Sequence, residues 1–217
     1  MGTRFKICCI KSEAEAALAI SYGAHAVGLV GRMPSGPGPI SDERIMEIAK
    51  TVPPAVSTFM LTSETSVKDI INHHKRTLTS TIQIVDAISS GTYIDLREAL
   101  PAIKIVQVIH VIDERSVEEA VEKSELVDAI LLDSGNPLLK IKQLGGTGRV
   151  HDWKISRKIR EQSRCPVFLA GGLTPENVRQ AIDEVNPFAV DVCSGVRTDG
   201  KLDEKKLEIF VNNINRI

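Results

Sequence analysis

Nothing in this sequence is in marked excess, and what is scarce narrows its chemistry. The 217 residues carry 27 basic and 28 acidic side chains, a formal net charge of −1, so no surplus of one sign is available to hold nucleic acid or an anionic membrane. No stretch approaches the ~20 consecutive apolar residues of a membrane span. The opening "MGTRFKICCIKSEAE" is interrupted by charge too soon for a signal peptide, and Lys6 stands where a myristoylation signal needs Ser or Thr. A cytoplasmic protein is expected, with a small molecule as its partner rather than nucleic acid or membrane.

Cysteine is equally sparse. Cys8, Cys9, Cys165 and Cys193 form no C-x-x-C pair and have no histidine pattern beside them, so no metal site is expected. Cys8 and Cys9 are adjacent and would point to opposite faces of a strand, where a bond between them would be strained. All four are expected as reduced thiols, in keeping with a cytosolic setting. Two glycine signatures are also missing. "KICCIKSEAE" lacks the dinucleotide-binding fingerprint, and no Gly-Lys-Ser/Thr follows "GGTGRV" as a Walker loop requires.

What is present is a regular alternation. Eight apolar or β-branched runs, at 5–10, 25–30, 55–61, 81–85, 103–111, 127–133, 166–172 and 188–196, read as strands. Between them lie segments with apolar residues at three- and four-residue spacing, such as "SEAEAALAISYG", "SDERIMEIAKTV", "SVKDIINHHKRT", "SVEEAVEKSEL", "DWKISRKIREQS" and "TPENVRQAIDEV". Several open on Ser, Thr or Asp, as helices do. Strands so continuously apolar belong to a parallel sheet covered on both faces or closed on itself. With 42% hydrophobic residues and no linker, the chain predicts a single-domain (β/α)8 barrel of eight parallel strands over residues 1–217. Function is then confined to the C-terminal ends of the strands and the loops after them.

That filter selects a few residues. The stretches "LGGTGRV" (144–150), "LAGGLTPENV" (169–178) and "VCSGVRTDG" (192–200) follow the last three strands; glycines there let backbone N–H groups approach a phosphate closely. Asp133 ends the apolar run "AILLD", where desolvation would raise its pKa toward that of a general acid. Cys8 shares a strand face with Lys6 and Ile10. Lys6 and the phosphate cradle are expected to favour its thiolate, a base.

Together, "KICCI", "AHAVGLV", "AILLDS", "GGTGRVHDW", "LAGGLTPENVRQAI" and "PFAVDVCSGV" resemble, in order, the motifs of the phosphoribosylanthranilate isomerase family. The resemblance implies a cofactor-independent Amadori rearrangement in tryptophan biosynthesis, turning an N-linked ribose 5-phosphate from aminoaldose to aminoketose. It implies Cys8 as base and Asp133 as acid. Gly146, Thr147, Gly148, Gly171, Gly172, Ser194 and Gly195 would bind the phosphate, and Asp191 the polar middle of the substrate. A monomer or a homodimer fits equally. Asp152 and Trp153 are expected to cap and pack the next helix.

The departures fall on the side that would face the aglycone. Cys9 replaces a usual glycine, the loop "GRMPSGPGPIS" lacks the family's arginine near its end, and Val85 and Asp86 stand for His and Gly. Gln107 stands near a common lysine and Arg197 for a common Glu. Arg32 and Arg197 are the candidate replacement cations. Two alternatives stay open: a paralogous isomerase acting on another phosphosugar, and a phosphosugar-binding barrel without catalysis.

Overall fold

A computed structural model describes residues 2–135 and 150–215. Eight strands and eight helices alternate along the described chain: β1 (Arg4–Ile7), α1 (Glu13–Ser21), β2 (Ala26–Val30), α2 (Asp42–Thr51), β3 (Ser57–Thr62), α3 (Val67–Thr77), β4 (Thr81–Ile84), α4 (Tyr93–Ala99), β5 (Lys104–His110), α5 (Arg115–Ser124), β6 (Ala129–Asp133), α6 (Trp153–Gln162), β7 (Val167–Leu169), α7 (Val178–Val185), β8 (Ala189–Val192) and α8 (Glu204–Asn215). A short 3-10 turn (Ser194–Val196) and a two-stranded hairpin, β9 (Arg197–Thr198) with β10 (Lys201–Leu202), separate β8 from α8. Strands β1 to β8 pair in sequence order and close when β1 pairs in parallel with β8, giving the expected (β/α)8 barrel.

Strand parity builds two cores. Outward residues such as Phe5, Ile7, Val27, Leu29 and Ile82 pack under the helices, while inward ones such as Ala26, Phe59, Val106, Leu131 and Phe168 fill the barrel. Three helix starts follow the capping expectation: Ser12, Ser41 and Asp152 accept backbone N–H bonds from Glu15, Arg44 and Lys154, whereas Ser66 precedes α3 without a side-chain cap bond and α5 and α7 start after Glu114 and Asn177 instead. Asp152 thus caps α6, and Trp153 is buried beneath it.

Two helices lie outside the segments singled out by periodicity. Helix α4 is too short to establish a period; its start is set by a reciprocal capping box between Thr92 and Asp95. In α8, Leu207, Phe210, Val211 and Ile214 are buried at helical spacing that was there to be read. Strand β8 is also shorter than its apolar run, because the chain turns at Ser194. Among the described residues, no helix is long and apolar enough to cross a membrane.

Candidate active site

The base of the site is set by the closure of the barrel. Lys6 and Asp191 are partners in the β1–β8 register, and the Lys6 ammonium donates to Asp191 Oδ2 at 2.8 Å. Lys6 is fully enclosed, with its Nζ also 5.2 Å from the Phe59 ring centroid. A lysine is tolerated there because the pair, not the cation alone, leaves water. Burial would lower the Lys6 pKa, but Asp191 and Cys8 outweigh it and raise it above its ordinary value. Cys8, two residues on, faces the same interior. Opposite them, a Cβ on Gly28 would lie 2.7 Å from Cys8 Sγ and 3.1 Å from Lys6 Nζ, so glycine is what leaves room for both. Sequence reasoning missed Gly28, although a glycine inside a strand run was the signal.

Burial pushes the Cys8 thiol up to about 11, against the opposing pull of Lys6 and with a further push from Asp191. This corrects the expectation that Lys6 makes the thiolate the favoured form: desolvation outweighs the neighbouring cation.

Asp133 ends β6 in register with His110 of β5, and its Oδ1 accepts the Ser134 N–H at 2.7 Å. Burial raises its pKa above the usual carboxylate range; the Ser134 bond and His110 oppose the rise, while Asp191 adds to it. The neutral acid is therefore favoured over what a surface aspartate would show. His110 donates Nε2–H to the Val85 carbonyl at 2.9 Å, which orients its ring.

Cys8, Asp133, Gly171, Gly172, Asp191 and Ser194 all line one cavity at the C-terminal ends of the strands. Gly171 and Gly172 have φ of +81° and +65°, the left-handed region that glycine enters freely, and Asn177 fastens their loop by donating to the Gly172 carbonyl at 2.9 Å. Val30, Leu61, Val85 and Leu131 form the apolar wall. Gln83 and Asp191 each present a buried oxygen, Oε1 and Oδ1, with no hydrogen-bond partner among the described residues. Gly195 stands behind the cavity lining: a Cβ there would meet the Leu173 carbonyl at 2.0 Å, so it lets the 3-10 turn approach the loop after β7. Gly146, Thr147 and Gly148 lie outside the described residues.

A barrel with a thiol, a carboxylic acid and a glycine-lined rim at one mouth matches known proteins along its length. The sequence profile of N-(5'-phosphoribosyl)anthranilate isomerases covers residues 5–213. The chain belongs to the phosphoribosylanthranilate isomerase family. It is an isomerase. An N-(5'-phosphoribosyl)anthranilate isomerase of Methanosarcina acetivorans is 36% identical, with 98% of this chain and 93% of that one covered. The crystal structure of phosphoribosyl anthranilate isomerase from Thermotoga maritima matches with a TM-score of 0.80 at 33% identity, over 98% of each chain. Another, in complex with reduced 1-(o-carboxyphenylamino)-1-deoxyribulose 5-phosphate, matches with a TM-score of 0.77 at 31% identity, also over 98% of each.

Against that family, the two arginines named from sequence sit away from the cavity. Arg32 is exposed on the loop after β2 and is not among the lining residues. Arg197 is buried: its guanidinium pairs with Glu15 at 3.0 Å and donates to the carbonyls of Cys8 at 3.1 Å and Cys9 at 2.6 Å. Arg197 is thus engaged with the backbone of β1's end and with α1, which corrects its expected role as a free cation. Gln107 is likewise engaged, accepting the Tyr93 hydroxyl at 2.7 Å and donating to the Asp86 and Val108 carbonyls. Among the described residues, no basic side chain lines this cavity.

The expectation of four reduced thiols is also corrected. Cys9 and Cys193 form a disulfide across the β1–β8 seam, with Cα atoms 5.9 Å apart; Cys8 and Cys165 are free. Cys8 and Cys9 are not bonded to each other, and barrel closure brings Cys9 a partner 184 residues away.

Proposed function

We propose that this chain catalyses the Amadori rearrangement of N-(5'-phosphoribosyl)anthranilate in tryptophan biosynthesis, with Asp133 as general acid and Cys8 as general base. The observation that carries the reading is that Cys8 and Asp133, from strands on different sides of the barrel, open on one cavity in a member of this family. Asp133, with its raised pKa, donates its proton to the ribose ring oxygen as the C1–O bond breaks, leaving an iminium cation. That positive charge beside Cys8 favours the thiolate against the burial that disfavours it. The thiolate removes the C2 proton to give the enaminol, which takes a proton at C1 and releases its hydroxyl proton to become the ketone.

The phosphate is held by backbone N–H groups at Gly171, Gly172 and Ser194, together with the stretch Gly146, Thr147 and Gly148, and Gly195 keeps the turn at Ser194 close. Asp191 Oδ1, which has no hydrogen-bond partner among the described residues, takes a hydroxyl of the sugar. Purified protein is expected to consume phosphoribosylanthranilate, followed as loss of its fluorescence, and Cys8→Ala or Asp133→Ala to abolish turnover. Turnover no greater in the wild type than in those variants overturns the reading.

One observation favours a second substrate. The absence of a basic lining side chain among the described residues leaves a buried aglycone carboxylate without a visible counter-charge, a loss worth roughly 2–5 kcal/mol. A paralogous isomerase for another N-linked ribose 5-phosphate would show turnover of that compound, sensitive to the same two variants, with phosphoribosylanthranilate untouched.

A further inference from the structure

We propose that the Cys9–Cys193 cystine is a redox-controlled modification site that fastens the strand bearing Cys8 to the phosphate-binding turn, and that its reduction by small-molecule thiols weakens binding of phosphorylated ligands. The link to phosphate rests on the reading of Ser194 above. The cystine itself does not.

Three observations converge on this pair. The first is position. The β1–β8 register ends at Ile7 and Val192, and the Cys8 N–H still donates to the Val192 carbonyl at 2.8 Å. Beyond that point no backbone ladder holds the two ends, and the disulfide takes over between the residue after Cys8 and the residue before Ser194. Both cysteines line the cavity.

The second is backbone conformation. Cys9 has φ of +61°, a left-handed conformation that costs an L side chain about 1 kcal/mol or more. Glycine adopts that conformation freely, whereas cysteine, with its Cβ, does not. Its Cβ also packs tightly on the loop after β2, since a Cβ on Gly38 would come within 2.7 Å of it. A covalent tether and the Arg197 bonds to the Cys8 and Cys9 carbonyls together hold the segment in place.

The third is access and charge. Cys9 is buried and Cys193 only partly so, which directs an incoming thiolate to the Cys193 sulfur. Attack there breaks the S–S bond, forms a mixed disulfide on Cys193, and releases Cys9 as a thiolate that takes up a proton. A second small thiolate then attacks the small-molecule sulfur, freeing Cys193 and leaving the symmetrical small disulfide. Two electrons pass from the two small thiols to the cystine, and a small disulfide such as oxidised glutathione reverses the sequence. The oxidised pair is neutral beside a bound phosphate, whereas any thiolate formed on reduction repels it.

The test uses the intact chain in a glutathione couple. Thiol titration after denaturation should give two free thiols for the oxidised protein, Cys8 and Cys165, and four after reduction. Reduction should lower the melting temperature by about 5–15 °C. It should raise the Kd for ribose 5-phosphate, measured by calorimetry, about five-fold or more. The Cys9→Gly/Cys193→Ser double variant, which keeps Cys8 and Cys165, should respond to the couple in neither measurement. Four thiols in protein never exposed to reductant, or an unchanged Kd on reduction, overturns the proposal. So does a response that persists in the double variant. Failure of the isomerase reading would appear separately, as a lack of turnover in both redox states while thiol count, melting and ribose 5-phosphate binding still report on the cystine.

Discussion

Lys6 and Asp191 meet inside the closed barrel, opposite each other in the β1–β8 register with Nζ 2.8 Å from Oδ2, and the free oxygen of Asp191 faces the same cavity as Cys8. The pair therefore does two things at once. It neutralises a cation enclosed in the barrel interior, and it sets the charge felt by the Cys8 thiol, which Lys6 pulls down and Asp191 pushes up.

Replacing Lys6 by Met should leave Asp191 buried without its partner and cost about 3–5 kcal/mol of stability by urea unfolding. A Lys6→Met/Asp191→Leu double variant should recover most of that stability while turnover stays about 100-fold down, a loss of the size that misplacing a substrate causes. Recovery of turnover with stability would show the pair to be structural only.

The Cys8 thiol should titrate late. In Cys165→Ala protein, thiolate absorbance at 240 nm, taken as a difference from the same protein with Cys8→Ala to remove tyrosine, should rise around pH 11 rather than near the ordinary 9. Binding of ribose 5-phosphate alone brings no iminium cation and should not lower that midpoint. A midpoint below 9 would mean that Lys6 outweighs burial.

Gly28→Ala adds a Cβ 2.7 Å from Cys8 Sγ and 3.1 Å from the Cys8 Cα, a contact that the strand cannot relieve by a rotamer change alone. Overpacking of this kind costs about 1–3 kcal/mol, and the displaced thiol should lower kcat about ten-fold or more. Gly2→Ala is a control for glycine loss as such, since a Cβ there meets only the Asn215 side chain, at 4.0 Å.

Acid should destabilise the protein through His151. Burial pushes its imidazole down to about 4, with Asp152 opposing, while its Nε2 lies 2.7 Å from the Ser156 hydroxyl. The unfolded chain binds this proton near the ordinary 6.5, so stability present above that pH falls as the pH drops toward 4, by at most about 3 kcal/mol. Urea midpoints between pH 7 and 4.5 should fall less steeply in His151→Asn.

The barrel was legible because its signals are local. Strand parity and helical spacing repeat within a few residues, and eight such units in this length leave few closed arrangements. Parity also sent Lys6 and Cys8 inward together, and Asp133 was recognisable as a carboxylate ending an apolar run. The aglycone side was less legible. Arg197 reads as a free cation until α1 brings Glu15 against it, and the expected Cys8 thiolate ignored how completely a barrel interior removes water. Gly28 was a visible signal whose meaning depended on what lay across the strand.

By itself the sequence determined the alternation, the inward faces, the family motifs and the residues able to exchange protons. Only the tertiary structure decided which of them meet: Lys6 with Asp191, Arg197 with Glu15, and Cys9 with Cys193. Each pair spans nearly the whole chain. Their distances are set by the single closing contact between the first strand and the last, and no local spacing encodes it.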